Sequence, residues 1–314
     1  MSGEFDRIRK IAQALGHRAG DLLDDCALLP AGDGQLVVST DSSVEGVHFR
    51  LDWLRHREVG WRAAASALSD LAAEGATPAV VLAALVVPVS ASDEELVAVM
   101  EGVGAAAAEV EALVAGGDLS RGPAWIATIT VLGRTKHPVT RAGARPGDGL
   151  WVTGALGGAR AALEAWKRGS EPGTEARAAF AHPLPRIDAG RRLALAGARA
   201  MLDLSDGLGG DARHLAEASG VAVELDVDAV PAASSCLEEA RRIGISPQQF
   251  AAEGGEDFEL LAALPSEFGG EDAMAFQRES GIALTRVGTV GTGSGIRATS
   301  AGRALALEGF DHFR

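Results

Sequence analysis

The sequence predicts two domains, each of the α/β or α+β class, and three observations carry that prediction. The chain has 314 residues, room enough for two domains of ordinary size. Both halves alternate short apolar runs with stretches of helical periodicity, so each half mixes strands and helices. Between them, Arg134 to Pro146 is polar and rich in Gly and Pro. That segment sets the division: an N-terminal domain over 1–137 and a C-terminal domain over 138–314.

In the first half, Glu4 to Leu15 puts Phe5, Ile8, Ile11, Ala12 and Leu15 on one helical face. Asp24-Asp25-Cys26-Ala27-Leu28-Leu29 is read as two carboxylates entering a strand. The turn Pro30 to Gly34 returns the chain as a partner strand over Gln35 to Thr40, a hairpin. The apolar run Leu36-Val37-Val38 is expected to stop in a cluster of hard donors, Ser39-Thr40-Asp41-Ser42-Ser43-Val44-Glu45-Gly46-Val47-His48-Phe49, at a sheet edge. Antiparallel pairing brings Asp24 and Asp25 beside Ser39 to Asp41. Glu58 to Glu74 is an alanine-dense helix on which Arg62, Ser66 and Asp70 form one polar stripe at four-residue steps. A carboxylate on a largely buried helix is costly unless paired or metal-bound; a solvent-facing stripe is the simpler alternative. Pro78 to Val87 is continuously apolar, the pattern of a central strand covered on both faces. Ser92 or Asp93 caps a helix to about Glu111. Within it, Gly102-Val103-Gly104-Ala105-Ala106-Ala107 mimics a dinucleotide fingerprint but sits mid-helix, where its amides are already committed. Leu113-Val114-Ala115 is a short strand ending in Gly116-Gly117-Asp118, and Trp125 to Gly133 is another strand.

In the second half, Leu150 to Thr153 is a strand and Gly157-Gly158 opens a helix to about Arg168. A loop around Gly169 to Thr174 leads to a helix from Arg186 to Ala196. Ala200 to Asp203 is a strand running into Ser205-Asp206-Gly207, and a helix follows over Gly209 to Ser219. Val221 to Leu225 is a strand; Ser235 to Ile243 and Pro247 to Ala252 are helices. Gly254-Gly255-Glu256-Asp257-Phe258-Glu259 is a turn entering a strand, Ser266 to Ser280 is helical, and Ile282 to Val290 is a strand.

Composition limits the function. The net charge of −14 argues against a nucleic-acid surface, which needs a basic stripe. Cys26 and Cys236 match no zinc spacing and no disulfide framework. No basic-then-apolar leader opens the chain, and its longest apolar stretch is too short to span a bilayer, so a cytoplasmic protein without membrane partners is expected. Asp25, Asp41, Asp70, Asp118, Asp203 and Asp206 recur at strand ends or on the alanine-rich helix. If they converge, they repel one another or take up protons unless divalent cations balance them. An Asp-rich, Gly-rich site poor in His and Cys suits Mg²⁺ shared with phosphates. There is no Walker A loop, so phosphates fall to metals, Gly-Gly amides and isolated arginines such as Arg121 and Arg141. The residues alone leave two readings open: a metal-dependent phosphate-handling enzyme, or an acidic cation-binding module without turnover.

Seven segments in order narrow this. Asp24-Asp25-Cys26-Ala27-Leu28-Leu29, the Ser39 to Phe49 stretch, Gly116-Gly117-Asp118-Leu119-Ser120, Arg141 to Asp148, Leu204-Ser205-Asp206-Gly207-Leu208, Gly254 to Leu260 and the tail Gly309-Phe310-Asp311-His312-Phe313 together closely resemble the thiamine-monophosphate kinase family. The resemblance covers nearly the whole chain. It implies an aminoimidazole-ribonucleotide-synthetase-like fold, with an N-terminal mixed sheet that pairs into a β-barrel in a homodimer and a C-terminal α/β domain. It implies direct transfer of the ATP γ-phosphoryl group onto thiamine monophosphate, with several Mg²⁺ ions and no protein nucleophile. On matching positions, Asp25, Ser39, Thr40, Asp41, Asp70, Asp118, Asp203 and Asp206 are the metal contacts; Gly117, Asp118, Arg141 and Ser205 contact ATP; His48, Glu256 and Phe310 contact the thiamine phosphate. Three departures stand out: Leu23 precedes the Asp pair where the family has Gly, the chain has no Tyr to set against adenine, and Phe310 stands where Trp or Tyr is common. The rivals are another ATP-dependent enzyme of the same superfamily and a non-catalytic nucleotide- or cation-binding protein.

Overall fold

The computed structural model describes residues 3–16, 23–307, 309 and 310; Asp311, His312 and Phe313 of the tail motif lie outside the described residues. The first half comprises α1 (Glu4–Leu15), β1 (Ala27–Ala31), β2 (Gly34–Val44), α2 (His56–Ala73), β3 (Thr77–Pro88), α3 (Asp93–Glu109), β4 (Leu113–Gly122) and β5 (Ile126–Thr135). Its strands form a five-stranded sheet in the order β1-β2-β5-β3-β4. The expected hairpin forms, with Ala27 opposite Val38 and Ala31 opposite Gly34.

Two strands run further than the sequence suggests. β2 does not stop at Val38 but pairs with β5 through Val44, opposite Ile126. Its hydroxyls do not break the ladder because they bond across it: Thr40 to Thr130 at 3.0 Å and Ser42 to Thr128 at 2.9 Å. β1 pairs with β2 only as far as Val38, so the donor cluster from Ser39 onward is bonded to β5 on one side and lies at an open edge on the other, as expected. β4 likewise continues through Gly116-Gly117-Asp118, in parallel register with β3. Gly117 allows that close approach, since a Cβ there would lie 1.8 Å from the Ala83 carbonyl oxygen.

Helices α2 and α3 cover one face of this sheet. They cross where two glycines meet backbone: a Cβ on Gly60 would fall 1.8 Å from the Val99 oxygen, and one on Gly102 would fall 2.0 Å from the Arg57 oxygen. Gly102 is therefore a packing glycine. Gly60→Ala is expected to cost about 3 kcal/mol or more, at the upper end of overpacking penalties; an unchanged denaturation midpoint would remove the crossing from this account. Among the described residues, no helix layer covers the sheet's other face. Val38, Val80, Leu82, Val86, Ile126 and Leu132 are only partly covered there, so β3 is central but buried on one face, not two.

The second half comprises β6 (Gly149–Thr153), α4 (Gly158–Lys167), α5 (Thr174–Ala181), α6 (Ile187–Leu195), β7 (Ala200–Asp203), α7 (Leu208–Ser219), β8 (Ala222–Asp226), α8 (Cys236–Ile243), α9 (Pro247–Ala252), β9 (Leu260–Leu264), α10 (Gly270–Ser280), β10 (Leu284–Gly291), β11 (Gly295–Ser300) and β12 (Arg303–Leu305). The sheet order is β12-β11-β8-β10-β6-β9-β7. The sequence does not single out helix α5, which has only eight residues, nor β11, whose Gly, Ser and Thr content reads as turn, nor the three-residue β12. Helix α10 starts at Gly270, later than the expected Ser266. Among the described residues, neither sheet closes into a barrel.

Helix α2 joins the halves. A Cβ on Gly190 of α6 would lie 2.0 Å from the Ala72 oxygen, so the two helices meet backbone to backbone. β7 also packs on α2, which brings the tip of a C-terminal strand to the stripe of α2 that carries Asp70. Among the described residues, no helix is long and apolar enough to cross a membrane.

Candidate active site

Strand alternation and helical periodicity build the floor of one cavity. In β2, Ser39, Asp41 and Ser43 point toward α2, whose Arg62, Ser66 and Asp70 meet them. Ser39 Oγ donates to Asp70 Oδ2 at 2.5 Å, and Ser66 Oγ donates to Asp41 Oδ2 at 2.8 Å. The polar stripe of α2 is thus buried against the sheet, not solvent-facing; Arg62 and Ser66 are almost wholly covered. β7 delivers Asp203 from the second half, followed by Ser205 and Asp206. The entry to β1 adds Asp24 and Asp25, and the loop before β9 adds Glu256.

The cavity measures about 320 Å³. Asp25, Ser39, Thr40, Asp41, Asp70, Asp203, Asp206, Arg141, Ser205, His48, Glu256 and Phe310 all line it, although they come from nearly every part of the chain. Gly117 and Asp118 do not. Asp118 lies opposite Ala84, which lies opposite Thr128, which lies opposite Ser42. Three strand spacings, roughly 14 Å, separate it from β2, and it is exposed on the edge strand.

The electrostatics are those of a cation site. Carboxylate oxygens of Asp25, Asp70 and Asp203 lie within 4.8 Å of one another. Arg141 holds Asp25 Oδ1, while Asp25 Oδ2 is buried with no hydrogen-bond partner. Burial pushes Asp203 up to about 7, with Asp25 adding to the rise. Asp70 is raised well above the carboxylate range by burial and then by Asp203, and Asp211 by burial and then by Asp206. Burial lifts Asp24 to about 6. Burial works against the charge of Arg141, and Asp25 more than offsets it. Crowded carboxyls without cations retain protons; a hard divalent ion would take the place of those protons. The residues present therefore fit Mg²⁺, for which Asp25, Asp70 and Asp203 would supply oxygen donors.

The remaining residues shape the rim. His48 Nδ1 accepts from the Val44 amide at 3.0 Å, which puts the ring proton on Nε2. The Phe310 amide donates to the Asp206 carbonyl at 3.0 Å, leaving the ring 60% exposed at the cavity mouth. Glu256 and Phe258 have φ of +68° and +52°, a left-handed conformation costing about 1–3 kcal/mol each. Two bonds hold that loop: Glu256 N donates to Ser205 O at 2.8 Å and Phe258 N to Leu204 O at 3.0 Å. The Glu256 carboxylate pairs with Arg62, whose Nη1 donates to the Phe180 carbonyl at 2.6 Å and whose guanidinium lies 3.8 Å from the centre of the Phe180 ring.

Several lining residues carry no site role in the sequence reading. Arg62 and Ser66 carried a signal, their four-residue spacing from Asp70. Asp24 stands beside Asp25. Asp211 is a first-turn acid of α7, and its Oδ2 accepts from the Asp206 amide at 3.1 Å. Phe5 and His214 stack with ring centres 3.7 Å apart at the cavity wall, a pairing across some two hundred residues that no local pattern encodes.

The comparisons with known proteins bear on the family and the fold. The family described as AIR synthase related protein matches in both parts, its N-terminal domain over residues 23–135 and its C-terminal domain over 145–300. The chain is 37% identical over 268 residues to thiamine-monophosphate kinase of Mycobacterium tuberculosis, covering 83% of this chain and 80% of that protein. It belongs to the thiamine-monophosphate kinase family. The Aquifex aeolicus member is 30% identical over 99% of this chain and 98% of its own length. Among solved structures, AaThiL complexed with AMPPCP and TMP superposes with a TM-score of 0.89 at 30% identity, covering 99% of this chain and 97% of that one. The hydrogenase maturation protein HypE in complex with ATP superposes at 0.73 with 19% identity, over 95% of this chain and 90% of its own, a likeness of fold alone. The kinase family and the two-domain AIR-synthase-like fold thus stand as the sequence motifs indicated.

Proposed function

We propose that the acidic cavity is where this kinase transfers the γ-phosphoryl group of ATP onto the phosphate of thiamine monophosphate, giving thiamine diphosphate. The convergence of Asp25, Asp70 and Asp203 from three separate segments carries this reading. Mg²⁺ held there would neutralise the facing phosphates of donor and acceptor. The acceptor is already an anion and needs no strong base, so the chain's work is positioning. Arg141 and Ser205 orient the nucleotide phosphates. His48 donates from Nε2 to the acceptor phosphate, Phe310 covers the thiamine ring system, and Glu256 faces its cationic thiazolium. Incubating the purified protein with Mg·ATP and thiamine monophosphate should yield equimolar ADP and thiamine diphosphate. ADP without thiamine diphosphate would move the chain to another activity of the superfamily, and binding without ADP to a non-catalytic role.

Arg62 orients Glu256 in this scheme. Arg62→Met leaves the half-buried Glu256 carboxylate without its cation and free to move. It should raise KM for thiamine monophosphate while KM for ATP holds, with Arg62→Lys recovering part of the loss. Equal effects on both substrates would deny Arg62 a positioning role.

The active unit in this reading is a homodimer, and the domains divide at residues 137 and 138. The half-covered apolar face of the five-stranded sheet is the surface such a dimer buries, two copies closing a barrel. Gly117 and Asp118, remote from the cavity of their own chain, then serve the nucleotide and metal of the partner's site: Asp118 shares its sheet face with Thr128 and Ser42, and Thr40 on that face reaches the cavity.

A further inference from the structure

On the opposite end of the first sheet from the acidic cavity, a second cavity of about 340 Å³ reverses the charge of the molecule. It lies where the β1–β2 turn, the end of β5 and helix α6 meet. Four basic side chains line it, Arg134, Lys136, His137 and Arg191, against a single acid, Asp33. In a chain of net charge −14 this local excess is unusual. Asp33 does not neutralise it: its one contact, to Lys136 at 2.5 Å, joins side chains 84% and 65% exposed, and such pairs contribute little. The side chains of Arg134 and Arg191 make no hydrogen bond or ion pair with any described residue. Other arginines of this chain are mostly engaged, as Arg141, Arg177, Arg186 and Arg199 each hold a carboxylate. Ala194 and Leu195 of α6 give the cavity an apolar wall, with Leu195 77% exposed.

We propose that this cavity is a binding site for a small diphosphate-bearing anion, distinct from the acidic site. Two arginines from different halves of the chain supply planar donor forks that match phosphate oxygens, and Lys136 adds a point charge. Because the two guanidinium forks are separate, each can engage one phosphate group of a diphosphate bidentately, whereas a single phosphate would leave one fork unused. The site spans the seam between β5 and α6, so occupancy ties the two halves together. It also adjoins the end of α2: Gly75, which closes that helix with φ of +64°, lines the cavity, and a Cβ there would lie 2.8 Å from the Ala194 Cβ. Asp70 of the acidic site is five residues away on the same helix, which gives a bound anion a rigid element through which to affect turnover.

Isothermal titration in EDTA tests this, since without divalent ions the acidic cavity repels anions. Inorganic diphosphate should bind the wild-type chain at one per chain with sub-millimolar Kd, and orthophosphate at least tenfold more weakly. The variant carrying Arg134→Gln and Arg191→Gln should lose at least tenfold in diphosphate affinity while keeping its kinase turnover. Thiamine diphosphate and ADP, run as separate arms, identify the source: tighter binding of one than of inorganic diphosphate shows that the apolar wall reads the organic part, and equal binding shows that the diphosphate alone is read. No diphosphate binding below about 1 mM, or equal binding by the double variant, overturns the proposal. Either result leaves the kinase assignment standing, because turnover is measured independently.

Discussion

Asp203→Asn should reduce kcat by three orders of magnitude or more while making the metal-free protein more stable at neutral pH. Both effects have one cause. In the folded chain the Asp203 carboxyl is raised from 3.8 to about 7, because it is buried and faces Asp25. The unfolded chain releases that proton near 3.8, so between about pH 4 and pH 7 the folded state binds more protons than the unfolded one. Stability of the metal-free protein therefore falls as pH rises through that window, and the full cost is present above pH 7. Asn carries no charge to bury, so the variant lacks the fall. The same substitution removes an oxygen donor from the trio with Asp25 and Asp70, so added Mg²⁺ should raise the melting temperature of the wild type much more than that of the variant. Thermal melts at pH 5 and pH 8, with and without Mg²⁺, separate the two contributions. A wild type as stable at pH 8 as at pH 5 without metal, or a variant with wild-type kcat, would break the link between the buried acids and the site.

Asp118→Asn should also abolish activity, and the structure suggests an unusual way to see why. Asp118 lies on the edge strand β4, roughly 14 Å from β2 by strand spacing. If it completes the site of a second copy, Asp118→Asn and Asp203→Asn damage the same site from different chains. Mixing the two inactive variants and allowing subunit exchange then creates heterodimers with one intact site. Random pairing restores about a quarter of wild-type activity. If Asp118 acts within its own chain, each heterodimer has two damaged sites and the mixture stays inactive. Full activity of Asp118→Asn alone would remove the residue from the chemistry altogether.

Much of the local structure was legible because local rules govern it. The β1–β2 hairpin, the Ser92 cap of α3 and the strand ending at Asp203 follow from turn chemistry, capping and apolar runs over a few residues. The stripe Arg62, Ser66 and Asp70 was visible from periodicity, but whether it faced water or the sheet was not, since that depends on β2 lying across it. The extension of β2 through its hydroxyls was hidden for the same reason: only the facing Thr128 and Thr130 of β5 make those side chains compatible with a strand. α5 and β12 are too short to show a period, eight and three residues, and in β11 Gly295 and Ser300 read as turn although tertiary pairing makes it a strand.

By itself, then, the sequence determined which acids are placed at strand ends and on α2, and through seven ordered motifs the family to which the chain belongs. The tertiary structure alone decided which of those acids share one volume. Asp25, Asp70 and Asp203 meet because α2 is clamped between α3 at Gly60 and α6 at Gly190, contacts that depend on backbone approach and leave no periodic trace. Asp118 is set apart by strand order, which no local pattern specifies, because pairing partners are chosen by the whole sheet and not by the strand.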